Sequence, residues 1–233
     1  EIKKAIGLTD IMFNQTSFDK FQNITISKSL DDLNLVTLFY NTKDKNLSDK
    51  RLRQALSYAL SDNFTEGKRN YGPFSPNSWV SASGLTTYEQ DLEHSKLLLS
   101  QSDAFKSNKK LIFELSTFPK YLEIAKKVQT EWKKAGVDVK IVMVDVFPQT
   151  FQIFLGDYRV PKDPDQYMLW HSNHQSNITG YKNLRIDKLL EDGRQTLDIS
   201  ERKKIYADFQ KYLLDDPPAS FLMFPYQYEV TRK

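Results

Sequence analysis

Residues Lys110 to Val144 read KLIFELSTFPKYLEIAKKVQTEWKKAGVDVKIVMV, and their pattern decides the fold class. Lys110 to Ser116 alternates apolar and polar residues as a strand does. Pro119 to Ala135 carries Leu122, Ala125, Val128 or Gln129, Trp132 and Ala135 on one side, which is helical spacing. Pro119 suits the first turn and Gly136 the end of that helix. Val137 to Val144 is a second β-rich run. Strand, helix and strand joined by short links make a βαβ unit, so the two strands should be parallel with a right-handed crossover. The helix would be about 25 Å long at 1.5 Å per residue, matching strands that rise about 3.3 Å per residue.

Outward from this unit, Ile24–Ile26 and Leu33–Tyr40 read as strands, the second ending in the buried-looking run VTLFY. Ile6–Phe13 suits a short helix or a strand. Ser48 or Asp49 caps a helix whose apolar face is Leu52, Ala55, Leu56, Ala59 and Leu60, leaving Arg51 and Arg53 as solvated charge. Asn70–Leu85 holds Gly72, Pro73, Pro76 and Gly84 and must be irregular. Thr87 is expected to cap a helix through Leu99, with Leu97, Leu98 and Leu99 inward. Downstream, Phe147–Leu155 has the spacing of a short helix ended by Gly156. Leu184–Leu197 reads as a helix, and Asp198 with Glu201 forms a capping box for the next, which Pro217 and Pro218 stop. Ala219–Phe224 reads as a buried strand and Pro225–Val230 as an edge strand.

The 233 residues are 39% hydrophobic and 27% charged, enough for a sizeable core. A net charge of +3 without a basic block argues against nucleic-acid binding. No apolar run approaches the roughly 18 residues of a membrane helix. The absence of cysteine excludes disulfides, thiolate chemistry and cysteine-ligated zinc. The chain starts at Glu1 in a charged segment with the look of mid-protein sequence, so an excised fragment is expected.

The stretch DPDQYMLWHSNHQSNITGYKNLRIDKLL, Asp163 to Leu190, places Tyr167, Trp170 and His171 beside a polar loop. Aromatic faces with convergent polar groups are the material of a ligand pocket, although a surface loop with a few buried aromatics has the same composition. Tyr71, Phe74 and Trp79 could wall a pocket or pin their loop to the core. Asp163, Asp165, His171 and His174 lie close in sequence, and His-x-x-His can bind a divalent ion, but neither HExxH nor an EF-hand is present. The carboxylate pairs Asp215–Asp216 and Glu191–Asp192 read as solvated. GxSxG and phosphate-loop motifs are absent. With 12 Tyr, 15 Phe and 3 Trp, the composition suits recognition without covalent chemistry.

The segment DKRLRQALSYALSDN, Asp49 to Asn63, resembles a helix of the family 5 extracellular solute-binding proteins, the oligopeptide, dipeptide and nickel binders of ABC importers. The downstream motifs are similar in their order too. A Gly-Pro loop with Trp79 comes first, then Lys96–Leu98, KKAGVDVKI at Lys133–Ile141, GDY at Gly156–Tyr158 and DPD at Asp163–Asp165. WHS comes next at Trp170–Ser172, then N-x-x-x-Y-x-N at Asn177–Asn183, DKLL at Asp187–Leu190, ER-x-x-x-Y at Glu201–Tyr206 and DDPPASFLMF at Asp215–Phe224.

The resemblance implies an α/β lobe of periplasmic-binding-protein type II, a mixed sheet with a parallel βαβ unit flanked by helices. It implies that residues 1–35 cross from an N-terminal lobe, 36–215 form the C-terminal ligand-binding lobe, and 216–233 return toward the first lobe. The function implied is capture of oligopeptides or a similar small solute, as the monomeric, non-enzymatic and cofactor-free partner of a membrane permease. The place would be the outer face of the cell membrane, as a lipoprotein, or the periplasm. Tyr71, Trp79, Trp170 and His171 would wall the cleft, and Asn177 and Tyr181 would hydrogen-bond the ligand backbone. Peptide-binding members place an Asp ahead of the Asp-Pro turn to take the ligand's amino terminus. Here Val160 stands in that place, so Asp163 or Asp165 takes over, or the ligand has no free amine. The alternative is a metal-dependent hydrolase or a nickel binder using Asp163, Asp165, His171 and His174. A plain interaction module is a third.

Overall fold

A computed structural model describes residues 8–10, 21–107 and 110–232. Only part of the expected element Ile6–Phe13 falls within them: β1 (Leu8–Asp10) is a strand, and the rest lies outside the described residues. The other elements are β2 (Ile24–Leu30), β3 (Asn34–Tyr40), α1 (Lys50–Tyr58), β4 (Gly67–Arg69), α2 (Leu92–Gln101), α3 (Asp103–Ser107), β5 (Leu111–Thr117), α4 (Leu122–Ala135), β6 (Val137–Met143), β7 (Ile153–Arg159), α5 (Tyr167–Trp170), α6 (Leu184–Gln195), α7 (Ile199–Asp215) and β8 (Ala219–Arg232).

The βαβ unit forms as its spacing predicts. β5 and β6 pair in parallel from Leu111 opposite Val137 to Thr117 opposite Met143. α4 follows a single 3₁₀ turn that starts at Pro119, and buries Ile124, Ala125, Val128, Trp132 and Ala135. Gly136 ends it in the left-handed region at φ 98°, a conformation cheap only for glycine. The strands run in the order β1-β8-β3-β7-β5-β6, with β2 and β4 also on β8. β5 is parallel to β7 as well, whereas β3 runs antiparallel to both β7 and β8.

β3 shows why the sheet has two covered faces. Its run Leu35–Tyr40 is buried throughout. Val36, Leu38 and Tyr40 enter one core with α1 and α4, while Leu35 and Phe39 enter a second with Trp170, Ile186, Leu190 and Phe209. Period-two alternation thus serves two hydrophobic layers at once.

Several elements differ from their sequence expectation. Asp91, not Thr87, caps α2 by accepting from His94 N, and Leu97 faces solvent. Phe147–Leu155 is not a helix. Phe147 packs edge-on against Phe151 and against Phe154, which belongs to β7, so their helical spacing comes from an aromatic cluster folded by a loop. Gly156 lies inside β7 opposite Thr37, where a Cβ would fall 2.5 Å from the Phe154 ring. Ala219–Phe224 and Pro225–Val230 are one strand of 14 residues rather than two. Its first half lies between β3 and β4, and its second between β2 and β1, so the second half is not an edge. β2 and β3 lie end to end along the same side of β8, interrupted by Asp31–Leu33. Pro225 sits at that handover, where its missing N–H does least harm and its carbonyl accepts from Asp31 N at 2.9 Å.

Candidate functional site

β5, β6 and β7 are parallel, so their carboxyl ends face one way and deliver Phe118, Val144 and Val160 to one rim of the sheet. Ligands of open α/β sheets bind outside such carboxyl ends. The rim is tied together by backbone: Val144 N donates to Thr117 O at 2.9 Å and Val160 N to Leu33 O at 2.7 Å. Beside Val160 opens a hollow of about 300 Å³, lined by Asp32, Leu33, Ser75, Trp79, Pro161 and Lys162 among others. Trp79 is 36% exposed, with the Arg202 guanidinium 5.7 Å from its ring. Val146 and Phe147 are also exposed on the segment after β6.

The other residues singled out in the sequence lie elsewhere. Tyr71 lines a separate hollow of about 210 Å³ with Phe74 and Pro76. Its hydroxyl donates to Asp62 at 2.8 Å, its ring lies under Arg69, and burial with the Asp62 contact pushes its pKa up to about 12. Trp170 has no exposed surface. Its Nε1 donates to Gln166 Oε1 at 2.7 Å, and Gln166 Nε2 reaches Pro73 O at 2.8 Å, which ties the Gly-Pro loop to α5. His171 is buried and stacked on Tyr167. Its Nδ1 accepts from Asn173 N, so Nε2 carries the proton and faces Glu191 Oε1 at 3.3 Å. Asn177 Nδ2 donates to Tyr181 O and His171 O. Tyr181 donates to Asp216 at 3.2 Å, and burial raises its pKa. Tyr181 also borders a third hollow, of about 420 Å³, with Lys43, Arg53 and Lys182. The candidate residues therefore divide among three hollows and the core instead of converging on one cavity.

Asp163 and Asp165 are both neutralised. Arg202 grips Asp163 with two bonds of 2.7 Å and holds its carboxyl below the usual carboxylate range. Arg194 holds Asp165 through Nε at 2.9 Å and Nη2 at 2.8 Å. Each carboxylate thus already has a guanidinium partner. The metal constellation fails for the same reason: among the described residues, no three His, Asp or Glu side chains converge where an ion could sit. Asp32 was missed in the sequence, although an Asp-Asp pair just ahead of a buried strand was a usable sign of a tight turn.

Residues 9–180 match the model of the bacterial extracellular solute-binding proteins, family 5 Middle. The chain belongs to this family. It is 29% identical over 240 residues to the oligopeptide-binding protein AppA of Bacillus subtilis, covering 89% of this chain and 44% of AppA. The solved AppA structure, in complex with a nonapeptide, superposes with a TM-score of 0.81 at 26% identity, over 93% of this chain and 49% of AppA. NikZ of Campylobacter jejuni, in complex with Ni(L-His), gives a TM-score of 0.83 at 26% identity, over 93% and 50%. The family 5 chain thus spans about half the length of the relatives it matches, and its mixed α/β fold is theirs.

Proposed function

We propose that this chain is one lobe of the substrate-binding component of an ABC importer, and that it captures peptides or a similarly small solute without chemical change. The observation that carries the reading is where the hollow beside Trp79 and Val160 lies. It opens at the carboxyl ends of the parallel strands, next to the interruption at Asp31–Leu33. There β2 and the second half of β8 leave the main sheet as an antiparallel ribbon with β1. In this reading residues 1–35 and 216–233 are the crossing segments and 36–215 the ligand-binding lobe. A second lobe closes over the rim by hinge motion at the ribbon.

The nonapeptide bound by AppA supports a peptide-like ligand. The Ni(L-His) bound by NikZ extends the range to amino-acid complexes of a metal. Trp79 walls the cleft, whereas Trp170, His171, Asn177 and Tyr181 act from behind by fixing the loops that carry it. Partnership with a membrane permease, and a place outside the cytoplasmic membrane as a lipoprotein or in the periplasm, belong to the same reading. Native mass spectrometry of the whole two-lobed protein of this reading, purified from its own host, tests it. A small adduct released intact on denaturation is expected. Release of a cleaved or otherwise converted molecule would contradict it.

A further inference from the structure

We infer that the third hollow, of about 420 Å³, is a second binding site, built for a phosphate group. It is lined by Lys43, Arg53 and Lys182 and by no carboxylate. It lies apart from the rim. β3 runs antiparallel to β7, with Tyr40 opposite Ile153, so Thr42 and Lys43 leave the sheet at the end where β7 begins. The length of β7, about 20 Å for its 7 residues, separates the two places.

Two of the three cations have no counter-charge. Among the described residues, neither the Lys43 nor the Lys182 ammonium takes part in an ion pair or hydrogen bond, and both residues are exposed. The carboxylates of this end are engaged elsewhere. Asp215 is held by Lys50, Asp216 by Arg53 and Tyr181, and Asp44 by the Asn46 and Leu47 amides and Gln152. The third cation is buried, with a side chain only 3% exposed. The Arg53 guanidinium makes four hydrogen bonds, one fewer than it has N–H groups. Buried donors are normally paired, so the remaining N–H marks a place for a ligand oxygen on the hollow that Arg53 lines.

The walls are held in place before any ligand arrives. Thr42 N and Thr42 Oγ1 both donate to Thr179 O, at 2.8 and 3.0 Å, which ties the loop after β3 to the loop that carries Lys182. Gly180 stands between them at φ 65°. A Cβ on it would fall 2.6 Å from Lys43 Cε, so the lysine stem lies against bare backbone. Part of the ordering that binding requires is therefore already done.

Charge and shape give the chemical class. A tetrahedral dianion presents oxygens in several directions and answers all three cations, whereas the single carboxylate of a peptide offers one charge and oxygens in one plane. The same chemistry comes from a soluble phosphate or from a phospholipid headgroup.

The test is a titration of the 233-residue chain with inorganic phosphate, followed by proton–nitrogen NMR at constant ionic strength. At about pH 8 phosphate is mostly a dianion. Amide shifts are expected at residues 42–43, 48 and 180–182, and not with acetate. The double variant K43M, K182M keeps both stems and removes both charges. It should weaken phosphate binding by about tenfold, the scale of two exposed charge pairs. Neither ammonium has a structural partner, so this variant should melt close to the wild type. Sedimentation with vesicles of equal parts phosphatidylglycerol and phosphatidylcholine identifies the source. Vesicle binding that the double variant loses assigns the site to a headgroup. No vesicle binding, or binding that the double variant keeps, assigns it to a soluble phosphate. The absence of localised phosphate shifts, with or without vesicle binding, would overturn the inference, and so would equal phosphate affinity in the double variant.

Discussion

Replacing Arg53 by alanine should lower the unfolding free energy by about 3–5 kcal/mol, the cost of breaking a buried ion pair from one side. The Arg53 side chain is only 3% exposed. Its Nε donates to Pro217 O at 2.8 Å, and Nη1 donates to Leu47 O at 2.6 Å and Ser48 O at 2.9 Å. Its Nη2 pairs with Asp216, the residue that also accepts from Tyr181. One side chain thus joins the start of α1 to the junction of α7 and β8. Truncation strands several buried acceptors and a carboxylate together. Lysine restores the charge but not the planar fork, so R53K should recover only part of the loss. Because the two partners share one network, R53A combined with D216N should cost less than the sum of the single variants. Urea titration of the wild type, R53A, R53K, D216N and the double variant measures these differences. A loss below about 0.5 kcal/mol in R53A, the range of ordinary surface changes, would show that the guanidinium is solvated after all.

The second large effect is at Trp132. Alanine there should cost about 3–5 kcal/mol, as large-to-small core changes do. The indole has no exposed surface and lies in the core beneath β5 and β6. Its Nε1 donates to Leu56 O at 2.8 Å, so the same side chain fastens α4 to α1. W132F keeps most of the packing and leaves the Leu56 carbonyl without its donor, for a smaller loss of about 1–3 kcal/mol. Thermal unfolding separates the two variants, since roughly 2–4 °C accompany each kcal/mol in a chain of this size. A W132A protein that melts with the wild type would mean that α4 is not packed on the sheet through this residue.

These two residues also show what was legible in the sequence. Trp132 stands on a helical stripe between two strand patterns, and every constraint on it is local. The βαβ unit could therefore be read from 35 consecutive residues, register aside. Arg53 sits on the polar side of an amphipathic helix. Only the arrival of Asp216 and Pro217, more than 160 residues later, turns that side into an interior. Nothing in α1 signals it. The same limit governs the site. Trp170 and His171 have the chemistry of a cleft wall, but whether an aromatic faces a ligand or the core depends on what packs against it, here Phe39, Tyr158 and Phe221 for Trp170. Asp163 and Asp165 are free acids in the sequence and ion pairs in the fold, because α6 and α7 bring Arg194 and Arg202 to them. Phe147, Phe151 and Phe154 mimic a helix through spacing that a loop-borne aromatic cluster also produces. The family resemblance, by contrast, needed only the order of short motifs, and order survives whatever the side chains face.

In the proposed function, solute binds at the rim where the parallel strands end. As one wall of the proposed two-walled cleft, this chain would leave much of a ligand in water, so millimolar affinity is expected of it alone. Backbone amide shifts recorded during addition of a short peptide at that concentration locate the contact directly. Shifts confined to residues 31–33, 75–79, 117–118, 144–147 and 160–162 are expected. Shifts clustered instead around Lys43, Tyr181 and Lys182, or spread evenly over the chain, would contradict it.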